Sequence, residues 1–281
     1  MLDVAAIDGR LVAVGERGHV LISDNGGADW RQVEVPTRVM LTAITFVNND
    51  VGFAVGHDSV ILRTTDGGDT WDEVFRAPED EAPFFDVWFA DESNGVAIGA
   101  YGSHFRTADG GVTWNFEPLG DTDWHLHQIA RSDDGRLFVA AEAGFIFRSD
   151  DGGETWTELV SPYEGSYFGV LPLGGEALLI YGLRGHLFRS EDAGETWTEI
   201  STGTVALLDT GLRLADGTVL IAGLGGTVLI SNDGGMSFSK HQQPGRRGIT
   251  AVAQGADGSL VMTGEFGLRT TTLAELTTAA E

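Results

Sequence analysis

The sequence predicts an all-β protein, a seven-bladed β-propeller built from four-stranded antiparallel blades. Three observations support this prediction. A short turn motif recurs at intervals of 41 to 43 residues, four short apolar segments lie between successive copies, and glycine supplies 40 of the 281 residues. A fixed period of this length is typical of propellers in which each repeat contributes one four-stranded sheet.

The recurrent turn has the skeleton Ser/Thr-x-Asp-Gly-Gly-x-Thr-Trp, and its clearest copy is Ser149 to Trp156. The other copies are Ser23 to Trp30, Thr64 to Trp71, Thr107 to Trp114, Ser190 to Trp197 and Ser231 to Phe238. Its third residue is Asn25, Asp66, Asp109, Asp151, Asp192 or Asp233. The glycines allow positive φ angles, and the short carboxyl or amide group accepts hydrogen bonds from its own turn. We therefore expect a structural role, with each turn joining strands three and four of a blade.

The strands follow the same order in every unit, as the second unit illustrates. Its strands are predicted at Leu41–Val47, Gly52–Gly56, Val60–Thr64 and Thr70–Val74. The first strands of the seven units are expected to begin near Leu2, Leu41, Phe85, Leu126, Phe168, Leu208 and Ile249. The uniform period favours a single domain over residues 1–281.

The last unit departs from this pattern. It keeps a third-strand segment, Gly264–Thr270, but the glycines and the closing aromatic residue that should follow are missing. The tail, residues 272–281, has three interpretations: an incomplete fourth strand, a short helix or a frayed end. Because Leu2 already belongs to a first strand, we expect blades one and seven to meet by packing alone.

Composition excludes several classes of protein. The net charge is −25, from 42 acidic and 17 basic residues, so neither a nucleic acid nor an anionic membrane surface is an expected partner. The charge fits either a self-repelling soluble surface or the steering of a basic partner. Without cysteine there is no disulfide or thiol chemistry. No apolar run reaches the length of a membrane span, and no signal peptide is visible after Met1, so direct membrane insertion is not expected.

The turns resemble the Asp-box, or bacterial neuraminidase repeat, of sialidase-like propellers. Within that group the chain is similar to the photosystem II stability and assembly factor family, and most to its relatives in non-photosynthetic bacteria. The stretches that carry this resemblance are Leu11–His19, Phe53–Asp58, Asp86–Asp91 and Ser161–Gly169. The resemblance implies a non-enzymatic chaperone that binds a membrane protein through a basic patch, in the periplasm or otherwise exported. This chain departs from it, since its largest arginine cluster is Arg246-Arg247.

The Asp-box also invites an enzymatic alternative, a sialidase-like glycoside hydrolase. A sialidase needs three convergent arginines, and the nearest match to its first arginine motif, Phe75–Pro78, follows the second Asp-box instead of preceding the first. Carboxylates near the central channel, such as Asp86 or Asp209, would have to act in such an enzyme. His125 and His127 with Asp123 could begin a metal site, although a polar loop entering a strand explains them too. We predict no enzyme, no cofactor and no metal.

A binding site is expected where the repeat breaks its own pattern. The links from strand two to three and from strand four to the next strand one lie at the end of each blade opposite the Asp-box. They are aperiodic and rich in the residue types of binding hot spots. The hypothesis is a face for a protein or peptide partner, such as an envelope or membrane complex; the alternative is that these are simply variable loop residues. Its residues are Arg38, His57, Tyr101, Trp124, His125, Tyr163, Glu164, Tyr167, Arg184 and Arg246.

Overall fold

The computed structural model describes residues 1–120 and 123–278. It is a seven-bladed β-propeller, which confirms the predicted fold class. Among these described residues, six sheets have four strands and the last has three, and in every sheet the strand order follows the chain. Strands with an assigned register pair antiparallel, as in the second sheet, where Phe53 lies opposite Thr45 on one side and Arg63 on the other.

The chain divides into two compact parts, each larger than a single repeat, which are called unit 1 and unit 2 below. Unit 1 contains Met1–Leu126 and Val252–Thr272, and unit 2 contains His127–Ala251 and the segment from Leu273 onward. The boundaries fall inside the first strands of the fourth and seventh sheets. The organisation of residues 1–281 as one domain, expected from the period, stays a prediction.

Unit 1 holds the first three sheets and most of the last. The first sheet contains β1 (Asp3–Ile7), β2 (Arg10–Val14), β3 (Val20–Ser23) and β4 (Arg31–Val33). The second contains β5 (Leu41–Phe46), β6 (Gly52–Gly56), β7 (Ile61–Thr64) and β8 (Asp72–Phe75). The third contains β9 (Phe84–Phe89), β10 (Gly95–Gly99), β11 (His104–Thr107) and β12 (Asn115–Phe116).

Unit 2 holds nearly all of the next three sheets. The fourth contains β13 (Leu126–Arg131), β14 (Leu137–Ala141), β15 (Ile146–Ser149) and β16 (Thr157–Glu158). The fifth contains β17 (Tyr167–Gly174), β18 (Ala177–Gly182), β19 (Leu187–Ser190) and β20 (Thr198–Glu199). The sixth contains β21 (Leu208–Arg213), β22 (Val219–Gly223), β23 (Thr227–Ser231) and β24 (Ser239–Gln242). The seventh contains β25 (Ile249–Gln254), β26 (Leu260–Gly264) and β27 (Gly267–Thr271), and the short helix α1 (Leu273–Thr278) follows.

Each Asp-box is held by hydrogen bonds within its own turn. In the fourth sheet Ser149 Oγ donates to Asp151 Oδ1 at 2.8 Å and accepts from the N–H of Gly153. Asp151 also accepts from the Thr155 backbone N–H at 2.9 Å and the Thr155 hydroxyl at 2.6 Å. These bonds favour the charged carboxylate and lower the pKa of Asp151 to about 2. The carboxylate and the two hydroxyl groups of the turn therefore find hydrogen-bond partners within the turn itself.

Glycine is needed at the second of the two box positions, because the chain there has a positive φ close to the core. Gly153 has a φ of 94°, and Gly68, its counterpart in the second box, a φ of 95°. The first position is less strict, since Ala193 takes it in the fifth box at a φ of 55°. The glycines of the Asp-box motif thus reflect the backbone conformation of the turn and not a chemical role of their own.

The apolar core lies between neighbouring sheets. In unit 1, strands of the first two sheets pack through Val12, Ile22 and Leu62, and Trp71 of the second Asp-box closes this cluster. In unit 2, the fourth and fifth sheets pack through Phe138, Tyr167, Ile180 and Phe188. Burying such large side chains between sheets is the main source of stability in this architecture.

Polar side chains also join neighbouring sheets. In unit 1, Asp3 Oδ2 accepts from the N–H of Ile44 at 2.8 Å, and the Thr42 hydroxyl donates to the Phe84 carbonyl at 2.7 Å. In unit 2, Gln128 Oε1 accepts from the N–H of Val170 at 2.8 Å. Each bond joins a side chain on the first strand of one sheet to a main-chain group on the first strand of the following sheet.

Among the described residues the first and last sheets share no strand, as the packing prediction expected, but side-chain hydrogen bonds join them in addition to packing. Within unit 1 the Thr263 hydroxyl donates to the Leu2 carbonyl at 3.1 Å, and the Thr270 hydroxyl donates to the Gly27 carbonyl at 3.2 Å. Hydroxyl side chains on β26 and β27 thus reach main-chain acceptors near the start of the chain. The last sheet has no fourth strand among the described residues, and the tail forms α1 up to Thr278. Residues 279–281 lie outside the described part of the chain.

No helix formed by residues 1–120 and 123–278 is both long enough and apolar enough to cross a lipid bilayer.

Candidate partner-binding site

The link between strands two and three repeats one strained conformation in six sheets. Each link is a three-residue 3-10 turn whose central residue has a φ between 54° and 67°. The central residues are Arg17, Asp58, Tyr101, Ala143, Arg184 and Gly225. A left-handed conformation costs a non-glycine residue about 1 kcal/mol or more. Five of the six links carry that cost, and their central side chains are of four types, with arginine occurring twice.

The residue after the central one explains why the strain is retained. A Cβ on Gly18 would lie 2.4 Å from the Thr37 carbonyl oxygen, and one on Gly144 would lie 2.2 Å from that of Tyr163. These carbonyls belong to the loop from strand four to the next sheet, so link and loop lie in direct contact. Glycine therefore takes the contact position in five of the six links, and Ser59 takes it in the second sheet at a φ of 50°. The variable central residue lies directly before this position.

In unit 1 the links and loops form an aromatic cluster. The backbone N–H of Tyr101 donates to His125 Nδ1 at 3.1 Å, and that of Gly102 donates to the Trp124 carbonyl at 3.0 Å. The ring of His125 lies edge-on to Tyr101 at 5.1 Å and to Phe85 at 5.7 Å. Tyr101 is 63% exposed and Trp124 39% exposed. The structure thus brings three of the predicted site residues together on a surface held by main-chain bonds.

The other predicted site residues of unit 1 lie in the links and loops of its first two sheets, at the end opposite the Asp-boxes. His57 is exposed at the start of its link, and its N–H donates to the Met40 carbonyl at 2.9 Å. Arg38 is exposed in the loop that contacts Gly18. Beside His57, Asp58 accepts a hydrogen bond from Arg76 at 2.7 Å. This pairing gives a structural role to Arg76, the residue of the sialidase-like Phe75–Pro78 motif.

In unit 2 a second aromatic cluster surrounds Tyr163. Its ring lies 4.2 Å from that of His186, whose Nδ1 is 2.8 Å from Glu199 Oε1. The adjoining Glu164 is exposed, and both residues line a cleft of about 360 Å³ with Gly144 and Leu159. The aromatic ring is therefore half-buried, with its acidic neighbour open to solvent.

The basic residues predicted in unit 2 lie on a link and a loop. Arg184 is exposed and lines a groove of about 550 Å³ together with His186 and Lys240, the only lysine of the chain. Arg246 is exposed in a turn with a φ of 50°. These positions have cationic character in a chain that is otherwise strongly acidic.

Tyr167 has to be removed from the predicted binding residues. It is 0% exposed, its hydroxyl lies 3.0 Å from Ser161 Oγ, and burial raises its pKa to about 12. Tyr167 begins the first strand of its sheet, so its side chain fills the core between sheets instead of reaching the loop surface.

Sequence reasoning also missed residues that belong to these surfaces. Arg17 and Asp58 occupy the same left-handed link position as Tyr101 and Arg184, and His186 packs against Tyr163. The signal was available for the first two, because the link recurs at the period of the Asp-box. His186 could not be found this way, since its ring contact joins residues 23 positions apart in the sequence.

The carboxylates of the hydrolase alternative differ in environment. Asp86 Oδ1 accepts from the N–H of Val87 at 2.8 Å in β9. Asp209 lies in β21 between two buried residues, and burial raises its pKa to about 6. A carboxyl group with such a pKa can act as an acid near neutral pH, although burial produces the same shift in purely structural residues.

The described residues contain no group of three His, Cys, Asp or Glu side chains arranged to hold a metal ion. The suggested pair is also split by its ring contacts. His125 packs on Tyr101 and Phe85, whereas His127 stacks on Phe168 at 4.4 Å. Because β13 begins at Leu126, His125 lies in the loop and His127 in the strand, which fits the interpretation of a polar loop entering a strand.

The family model described as photosynthesis system II assembly factor YCF48 matches residues 22–83 and 76–267. The chain belongs to this family. A Ycf48-family relative, the photosystem II assembly lipoprotein Ycf48 of Prochlorococcus marinus (strain MIT 9312), is 36% identical over 149 residues. That match covers 52% of this chain and 44% of the relative, so the chain spans less than half the length of this relative.

Solved structures reproduce the fold across nearly the whole chain. A YCF48 bound to a D1 peptide has a TM-score of 0.76 at 20% identity and covers 95% of this chain and 91% of its own. A streptogramin B lyase has a TM-score of 0.81 at 14% identity, with coverages of 96% and 92%. An assembly factor and a lyase share this architecture, so the fold alone does not decide the function.

Proposed function

We propose that this Ycf48-family chain is a non-catalytic binding propeller that holds a protein or peptide partner on the links and loops opposite its Asp-boxes. The observation that carries the proposal is the left-handed link, which five sheets build around an exposed or half-exposed side chain of one of four types. Backbone strain that recurs at variable surface residues is expected where the position of a side chain for binding outweighs its cost in stability. The related YCF48 bound to a D1 peptide supports a peptide as the kind of partner.

The finer proposal is a partner from a membrane or envelope complex and an exported location for the chain. It is supported by the family description as an assembly factor and by a relative described as a lipoprotein. A scaffold of this kind needs exposed aromatic anchors more than a deep pocket, and Tyr101 and Trp124 have that character.

The experiment is affinity capture from solubilised membranes of the native organism with three forms of the chain. The Trp124→Ala/Tyr163→Ala variant should lose the partner captured by the natural chain, with little change in melting temperature. The matched control is Val112→Ala/Met236→Ala, which shortens apolar side chains that are 72% and 58% exposed in two Asp-boxes. The control should retain the partner. Equal capture by all three forms would overturn the proposal.

The second candidate function is a sialidase-like glycoside hydrolase, and the observation that favours it is the raised pKa of Asp209. A panel of fluorogenic glycosides tests it at pH 5 to 7. Hydrolysis by the natural chain that disappears in Asp209→Asn would favour the enzyme. No hydrolysis together with partner capture would favour the binding propeller.

A further inference from the structure

The exposed aromatic cluster of unit 1 has a rigid base. We define the aromatic shelf as Tyr101, Trp124 and His125. The two hydrogen bonds from residues 101 and 102 to residues 125 and 124 fix the link against the loop. The backbone of the shelf is thus ordered before any partner arrives, which lowers the entropy cost of binding.

An acidic loop is attached to the shelf. The loop from β8 to β9 carries Glu79, Asp80 and Glu81, all exposed, and Glu81 has a left-handed φ of 50°. Its Pro83 carbonyl accepts from the N–H of Ala100 at 2.9 Å, directly before Tyr101. Its Ala82 carbonyl accepts from the buried Ser59 hydroxyl at 2.6 Å. The three carboxylates are therefore carried by a loop that is bonded to the link bearing Tyr101.

The charged side chains beside the aromatic shelf are acidic. The segments 77–83 and 123–125, which carry the acidic loop and part of the shelf, contain Glu79, Asp80, Glu81 and Asp123 but no arginine or lysine. Asp123 is exposed directly before Trp124. The nearest arginine before the acidic loop, Arg76, is already bonded to Asp58. In the part of the chain that the structure describes, no ion pair involves Glu79, Asp80, Glu81 or Asp123, so a partner docking here meets these carboxylates directly.

We propose that the aromatic shelf and the acidic loop together dock an extended basic segment, one that carries arginine or lysine side chains, of a protein partner. This inference rests on the proposed binding function and specifies the partner's chemistry. Guanidinium or ammonium groups stack on the exposed Tyr101 and Trp124 rings and pair with the carboxylates of Glu79, Asp80 and Glu81. An acidic segment would instead meet repulsion from these carboxylates.

The test uses a fluorescein-labelled twelve-residue peptide of four Arg-Gly-Ser repeats, and a matched peptide with Glu in place of Arg. Fluorescence anisotropy measures binding to the full chain at low and physiological salt. The basic peptide should bind and the acidic peptide should not. Trp124→Ala, and separately Glu79→Gln/Asp80→Asn/Glu81→Gln, should each weaken the basic peptide about tenfold.

The control separates this surface from the general negative charge of the chain. Asp72→Asn/Asp133→Asn/Glu154→Gln removes three exposed carboxylates that belong neither to the shelf nor to the acidic loop, and it should leave affinity within about twofold. Equal loss in both triple variants, or equal binding of the two peptides, would overturn the inference. If membrane capture still depends on Trp124 and Tyr163, such a result leaves the proposed function standing. Loss of that dependence would remove the proposed function itself.

Discussion

In the sheets that carry an Asp-box, the Asp-box end and the opposite end, which carries the links, have different roles. At the Asp-box end, the same hydrogen bonds recur in box after box, for example from Thr64 to Asp66 and from Ser231 to Asp233 at 2.8 and 2.7 Å. At the other end only the backbone of the link recurs, while its central residue changes from arginine to aspartate to tyrosine. Side chains that repeat from sheet to sheet stabilise the fold. Where only the backbone conformation repeats, the variable side chains are the candidates for binding a partner.

The largest expected effect is at the Asp-box end. Trp71→Ala removes a ring that is 6% exposed, packs edge-on to Phe46 at 6.3 Å and donates to the Gly68 carbonyl at 2.9 Å. We expect the free energy of unfolding to fall by about 3–5 kcal/mol, as for other buried aromatic truncations. Urea unfolding measures it. Trp124→Ala at the loop end is the control, and an equal loss there would break the comparison.

A smaller loss is expected when one Asp-box loses its acceptor. Asp151→Ala leaves the hydroxyls of Ser149 and Thr155 without their partner, which should cost about 1–2 kcal/mol in an exposed turn. Asp151→Asn should cost less, because Asn25 fills this role in the first box.

The same carboxylates predict acid sensitivity. The pKa of Asp151 is lowered to about 2 in the folded chain, below its ordinary value of about 4. Its contribution is therefore complete above about pH 4 and disappears as the pH falls towards 2. The melting temperature of the natural chain should fall across this window, and Asp151→Ala should show a smaller fall. An unchanged fall would remove Asp151 from the explanation.

Asp209 should behave in the opposite way. Burial raises its pKa to about 6, so the folded chain binds a proton more tightly than the unfolded chain does. Stability from this residue should increase as the pH falls from about 7 to about 4 and be reduced above pH 7. Asp209→Asn should raise the melting temperature at pH 8 and leave it nearly unchanged at pH 4.5. A lower melting temperature at pH 8 would show that the charged form has a stabilising partner.

The smallest effect on stability is expected at the link. Tyr101→Gly relieves a φ of 54° but gives the unfolded chain more freedom, so the free energy of unfolding should change by only about 0.5 kcal/mol. Binding to the Arg-Gly-Ser peptide should nevertheless weaken clearly. Thermal melts and anisotropy on the same sample compare the two quantities, and a large loss of stability would show that Tyr101 is a structural residue.

The period explains why the fold was predictable. Six near-identical turns indicate the strand order, because each has glycine at a positive φ and ends in an aromatic ring that is buried or half-buried. The links were less visible, since only their backbone repeats and most of their central residues are not glycine. The burial of Tyr167 was mispredicted because the residue lies at the boundary between a loop and β17, where one position decides between surface and core. Closure by Thr263 and Thr270 joins residues more than 240 positions apart, and no local pattern encodes such a bond.

Hydrogen exchange of the chain with and without its captured partner tests the central claim most directly. We expect added protection in peptides that contain the links and loops, such as residues 100–103 and 123–126, and none in those that contain the Asp-boxes, such as residues 64–71 and 149–156. Protection that appears at the Asp-boxes and not at the links would contradict the account, because it would put the binding surface at the end of the sheets that we assign to stability.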